Sequence, residues 1–307
     1  MSTEPIRYRS PDEDSARWLA FEHRPGDIVI STRSKSGTTW MQMICALLVL
    51  RTPALPRPLS ELSPWLDWLG APLDEVLAAL RAQRHRRFVK THTPLDGLPL
   101  DERVTYIVVA RHPLDAAVSL HHQRANLDRA RIAELTGGRQ PGPTAPPPAP
   151  STAAGDARQW LRDWIDWSGR PADRLDSLPG VLWHLSDAWA RRAADNVVLV
   201  HFDDLLRDLP AEMTRLARTL GEDIDGAALA RLSEAARFGA MRERSQLLAP
   251  DTGGVLKSTA EFFRRGTSGA AAELLDETDL ARYRQRAEQL APADLLAWLH
   301  RGDRTIS

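Results

Sequence analysis

The sequence predicts an α/β fold: one domain with a central parallel β-sheet flanked by helices. Four short runs, at 27–31, 87–90, 104–110 and 196–201, are nearly continuously apolar, as strands buried on both faces should be. Segments with helical spacing alternate with them, the pattern of a sheet with helices on both sides. The 307 residues, 43% hydrophobic and 26% charged, suffice for a full core.

The first strand follows the turn residues Pro25 and Gly26. Beyond a polar loop, Trp40, Met43, Ile44, Leu47 and Leu48 recur at helical spacing. A second amphipathic helix is expected at 74–84. The strand at 87–90 runs into Thr91, His92, Thr93 and Pro94. The run 104–110, rich in β-branched and aromatic residues, is the strongest strand. His112-Pro113 breaks it, and Pro113 suits the start of a helix over 114–124. The segment 136–157 is rich in Pro, Gly and Ala, cannot bury enough apolar surface to order itself, and is expected to be a flexible loop. After the last strand, helices are expected at 210–221, 225–237, 273–290 and 293–300.

A net charge of −1 argues against a general nucleic-acid or acidic-membrane binder. The single cysteine, Cys45, excludes an intramolecular disulfide and reads as a small buried hydrophobe. No signal-peptide core opens the chain, and the longest apolar run, 41–50, is about half the ~20 residues a membrane helix needs. A cytoplasmic protein without membrane insertion is the expectation.

In a parallel sheet, ligands bind beyond the carboxyl ends of the strands. The loop 34–40 (SKSGTTW) lies at such an end and reads as an anion cradle. Gly37 lets the backbone approach a ligand, and free N–H groups at the following helix start point towards it. Lys35 adds a cation, Ser36, Thr38 and Thr39 add hydroxyls, and Trp40 offers a face for a base. A polar turn with a solvated lysine is the plainer reading of any one of these residues; their combination after a buried strand favours a ligand. The loop is P-loop-like but differs from GxxxxGK[ST], because Lys35 precedes Gly37.

Lys35 to Trp40 is similar to the 5′-phosphosulfate loop of the cytosolic-type sulfotransferases that use 3′-phosphoadenosine 5′-phosphosulfate (PAPS). The resemblance continues in Lys90-Thr91-His92, in 111–119 (RHPLDAAVS) and in Phe263-Arg264-Arg265-Gly266, in the family's order. It implies a sulfotransferase domain over 22–302, with 136–157 as a loop or lid within it. It also implies PAPS as co-substrate and transfer of its sulfuryl group to a hydroxyl of a small-molecule phenol or alcohol.

On this resemblance, His92 is the general base, which suits an imidazole whose ordinary pKa lies near neutrality. Lys35 stabilises the leaving phosphate, and Lys90 helps with the sulfuryl group. Ser36, Gly37, Thr38 and Thr39 hold the 5′-phosphate; Arg111, Ser119, Arg264, Arg265 and Gly266 hold the 3′-phosphate. Trp40, Phe202 and Phe238 surround the adenine. The sequence departs from the family pattern at Ala236, where a threonine is common, at Phe202, and at Ala270, Ala271 and Ala272. No metal is expected, since a sulfuryl group carries less charge than a phosphoryl group and no cluster of metal ligands stands out. Trp65 and Trp68, with Trp160, Trp164 and Trp167, are expected near the mouth of the site, where they suit an aromatic or lipid-like acceptor, although core and lid packing is the better reading of at least half of them. An ATP-dependent kinase and a non-catalytic nucleotide-binding protein are the alternatives. The sequence sets no oligomeric state.

Overall fold

In a computed structural model, which describes residues 4–137 and 154–301, four parallel strands form one sheet in the order β2-β1-β3-β4. They are β1 (Ile28–Ser31), β2 (Phe88–Thr91), β3 (Thr105–Ala110) and β4 (Val197–His201), each within a residue of its expected bounds. Alternate side chains enter two separate cores. Ile28, Ile30, Phe88, Ile107, Val109, Val198 and Val200 join one, and Val29, Val89, Tyr106, Val108 and Ala110 join the other. A run apolar at every position is what a strand covered on both faces requires.

The first core is closed by helix α1 (Thr38–Leu50) and by the helices Leu209–Thr219 and Gly226–Ala235. The second is closed by the helices Pro113–Asn126, Ala154–Asp166, Leu178–Ala190 and Glu277–Leu290. Two of these were not expected. Leu178–Ala190 carries Pro179 in its first turn, where its missing N–H is harmless. The Ser177 hydroxyl caps this helix, accepting from the Gly180 amide at 3.2 Å. Ala154–Asp166 begins inside the segment expected to be a loop; the rest of 136–157, from 138 to 153, and with it the lid reading, lies outside the described residues. The helix expected at 273–290 starts at Glu277 instead, capped by Asp276, after a short 3₁₀ turn at Ala270–Glu273.

At the amino end of the sheet, Asp27 and Arg87, each 2% exposed, form a buried ion pair, with Arg87 Nε 2.8 Å from Asp27 Oδ1. Its cost of desolvation is met by geometry, since both carboxylate oxygens are engaged and Arg87 also donates to the Glu22 carbonyl at 2.8 Å.

Candidate active site

Because all strands are parallel, their carboxyl ends lie on one edge, and each delivers a singled-out residue there. The Lys35 loop follows β1, His92 follows β2 directly, Arg111 follows β3 and Phe202 follows β4. The register Ser31 to Thr91 and Ala110 to His201 brings these ends level. Together they line a cavity of about 1660 Å³.

At the donor end, Gly37 caps α1 with φ 105°, and a Cβ there would come within 3.0 Å of the Phe202 ring. The first-turn amides of α1 have no helical acceptor and open toward the cavity. Lys35 itself has φ 66°, uncommon for a residue with a side chain and a form of strain found where function needs it. Its ammonium lies 4.0 Å above the Phe262 ring and 3.4 Å from Gln123 Oε1. Burial, with the cations of Arg111, Lys90 and Arg264, pushes the Lys35 pKa down to about 7. Thr38 and Thr39 line the cavity. Ser36 does not; its amide donates to the Arg33 carbonyl at 3.1 Å.

Arg111, 8% exposed, donates to the carbonyls of Lys35 (3.1 Å) and Thr267 (2.7 Å) and lies 4.4 Å from the centre of the Phe202 ring. Its Nε is buried without a partner. Ser119, two turns into Pro113–Asn126, also lines the cavity. Trp40 Nε1 donates to the Ala236 carbonyl at 2.8 Å, so this position works through its backbone rather than through a side-chain hydroxyl. Phe202 packs edge-on against Trp40, ring centres 5.3 Å apart, and lies beneath the loop as its floor.

The stretch carrying Phe262 to Gly266 is fastened at both ends to one helix, Pro113–Asn126. Asn126 exchanges two hydrogen bonds with Ser258 (2.8 and 3.0 Å), and its carbonyl accepts from Lys257 at 2.8 Å. At the other end of the helix, Asp115 accepts from the amides of Gly269 (2.8 Å) and Ala271 (3.3 Å). Gly266, at φ 66°, lies so close to Phe238 that a Cβ would sit 2.2 Å from that ring. Arg264 and Arg265 both line the cavity; Arg264 is half-buried, and Arg265, more exposed, pairs with Glu273 at 2.7 Å.

At the other end, His92 is 7% exposed and its Nδ1 lies 2.5 Å from the Thr32 carbonyl. Nδ1 must carry the proton to donate there, which leaves the Nε2 lone pair free. Burial, then the cations of Lys90 and Arg33, hold the imidazole well below its ordinary pKa, so it is neutral at physiological pH. Lys90 lies 4.0 Å above the Trp65 ring, and burial pushes it down to about 8 against the opposing pull of Glu13 and Asp67. Trp65 meets His92 edge-on, ring centres 4.9 Å apart, and stacks on Trp68.

Of the expected tryptophans, Trp65 and Trp68 line the cavity; Trp160 and Trp164 are buried in the second core, and Trp167 packs outside the lining beside Arg174. Residues that sequence reasoning passed over complete the lining at the His92 end: Tyr8, Glu13, Arg33 and Asp176. Arg33 stood two residues before Lys35 and was legible by proximity; Glu13 and Asp176 carry no local signal. Leu127, Ile132, Leu248, Val255 and Leu256 give this side an apolar wall.

Fold and site together describe a P-loop-like α/β domain whose strand ends gather cations, hydroxyls and a neutral imidazole around one cavity, an arrangement suited to an anionic ligand. A family model described as the sulfotransferase domain matches residues 25–292, and the chain belongs to that family: it is a sulfotransferase. A glycolipid sulfotransferase from Mycobacterium bovis is 44% identical over 98% of this chain and 96% of its own. Among solved structures, retinol dehydratase in complex with retinol and PAP superposes with a TM-score of 0.66 at 20% identity, covering 90% of this chain and 84% of that one. Mouse sulfotransferase SULT7A1 complexed with PAP gives 0.65 at 17% identity, covering 95% and 89%. Among the described residues no helix is long and apolar enough to cross a membrane, and no group of three or more His, Cys, Asp or Glu could hold a metal ion.

Proposed function

We propose that the enzyme moves the sulfuryl group of PAPS to a hydroxyl of a lipid-linked sugar, with His92 as general base. The observation that carries this reading is one continuous cavity lined by Lys35, Lys90 and His92, by the first turn of α1 and by apolar residues such as Leu127, Ile132 and Val255. Lys35, Arg111 and Arg264 repel one another there, and none of them has an ion-paired carboxylate among the described residues. Cations gathered in this way, together with the unpaired Arg111 Nε, fit a ligand with more than one phosphate.

In the transfer, His92 Nε2 takes the proton of the acceptor hydroxyl as its oxygen bonds to sulfur. The bond from sulfur to the bridging oxygen of the 5′-phosphate breaks, and the Lys35 ammonium stabilises the charge left on that oxygen. Lys90 would meet the oxygens of the moving group. The first-turn amides of α1, with Thr38 and Thr39, would hold the 5′-phosphate. Arg111, Ser119 and Arg264 would hold the 3′-phosphate, and Trp40 and Phe238 would flank the base. The carboxyl group of Glu13 and the apolar wall match an acceptor with a sugar and a hydrocarbon portion, in keeping with the name of the M. bovis relative.

The test is sulfate transfer from labelled PAPS to a glycolipid panel and to simple phenols, with a chelator present. Sulfated glycolipid is expected, together with thermal stabilisation by 3′-phosphoadenosine 5′-phosphate exceeding that by ATP or ADP. Preference for ATP, or loss of activity in chelator, would sink the reading.

A further inference from the structure

We propose that Arg33 and Asp176 are positioning residues of the transfer reaction, locking the general base to the donor loop and the acceptor-side loop to both. The inference rests on the sulfotransferase reading with His92 as base. Two consecutive residues at the end of β1 grip His92 from two sides. The Thr32 carbonyl accepts from its Nδ1 at 2.5 Å, and Arg33 Nη1 donates to its backbone carbonyl. The ring and the main chain of His92 are thus both referred to the strand that leads, two residues later, into Lys35.

The same guanidinium continues to Asp176, its Nη2 lying 2.5 Å from Asp176 Oδ1. The other oxygen, Oδ2, accepts from the Ser34 hydroxyl at 3.3 Å. Asp176 ends the acceptor-side loop, just before Ser177 caps helix Leu178–Ala190. One carboxylate therefore ties that loop to two successive residues of the donor loop.

Stability alone does not account for this arrangement. Arg33 is 3% exposed, its Nε has no partner, and its carboxylate partner stays 42% exposed. Burying a guanidinium with one N–H unsatisfied costs stability rather than adding it. What the arrangement secures is direction: the His92 lone pair faces the cavity and the ring stays neutral. The charged and titratable groups around the imidazole are Lys90 from β2, Arg33 from the β1 loop and His184 from helix Leu178–Ala190, all of which disfavour its protonation.

The experiment compares Arg33→Met, Arg33→Lys, Asp176→Asn and His92→Ala for affinity toward 3′-phosphoadenosine 5′-phosphate and for the pH profile of kcat. In Arg33→Met, kcat is expected to fall about 10²-fold, the scale of a base displaced by about an ångström, with nucleotide affinity kept within about twofold. Its acid limb should move to higher pH, because a cation beside His92 is gone. Arg33→Lys keeps that cation and should restore the wild-type limb with a smaller loss of kcat. Asp176→Asn, conservative and partly exposed, should lower kcat and raise the acceptor KM together. An Arg33→Met enzyme with wild-type kcat, or with lower kcat and an unmoved limb, overturns the proposal. His92→Ala separates the two readings: if it still transfers sulfate, the base assignment falls, whatever Arg33 does.

Discussion

The ammonium of Lys35 lies 4.0 Å above the ring of Phe262, so the phosphate cradle and the strap across it meet at one cation. With its pKa pushed down to about 7, Lys35 is expected to lose its proton as pH rises past neutrality in the free enzyme. An anionic donor favours the ammonium, so binding above pH 7 must take up a proton. Donor affinity is expected to fall by up to about tenfold per pH unit above 7 until the bound-state pKa is reached. Calorimetry in buffers of different ionisation enthalpy measures the uptake. A pH-independent affinity, or a slope that survives in Lys35→Met, would contradict the assignment.

For His92→Ala, nucleotide binding should persist while transfer falls by about 10² to 10⁴-fold, the range for losing a general base. In the wild type, kcat should stay flat down through pH 6.5, since burial and two cations hold the imidazole below its ordinary value. An acid limb at or above 6.5 would count against that environment.

Arg111→Ala removes the guanidinium that faces the cavity beside Phe202. Loss of charge-assisted hydrogen bonds to a phosphate, at about 1.5–3 kcal/mol, corresponds to donor binding weaker by roughly ten- to a hundredfold. The loss should be smaller for adenosine 5′-phosphosulfate, which has no 3′-phosphate. Equal losses for both donors would move Arg111 away from the 3′ side.

Gly37→Ala is expected to damage the cradle twice, through φ 105° and through a Cβ 3.0 Å from Phe202. Strain of about 1–3 kcal/mol should appear as a lower Tm and weaker donor binding. A variant with wild-type Tm and affinity would show that the loop relaxes freely.

Away from the site, Asp27→Ala leaves the Arg87 guanidinium buried without its partner. Chemical denaturation should register a loss of about 3–5 kcal/mol. Activity at temperatures where the variant remains folded should be unchanged, because the pair lies at the opposite end of the sheet from His92 and Lys35.

The four strands were legible because burial on both faces removes every polar residue except at their ends, where the chemistry starts. The loop 34–40 was legible because a cradle for phosphate needs glycine, hydroxyls and a cation close together in sequence. What escaped was long-range. Glu13 enters the cavity because residues 12–14 pair with Asp67, Trp68 and Leu69, a contact nothing local announces. Trp160 and Trp164 share a helix face whose apolar pattern fits a core or a pocket equally, and tertiary packing chose the core. The helix Leu178–Ala190, with Pro179 in its first turn, was not anticipated; Pro both ends helices and begins them, so it gives no one-way signal.

Asp115 and Asn126 stand near opposite ends of one helix and hold the two ends of the segment from Lys257 to Ala271. A loop hinged at one end opens like a door; a strap fastened at both ends to one rigid bar can only bow. If nucleotide binds beside Arg264 as proposed, its release is expected to arch that strap outward, with Gly266 and Gly269, both at left-handed φ, as its joints. Turnover would then depend on the slack in that strap rather than on the swing of a domain.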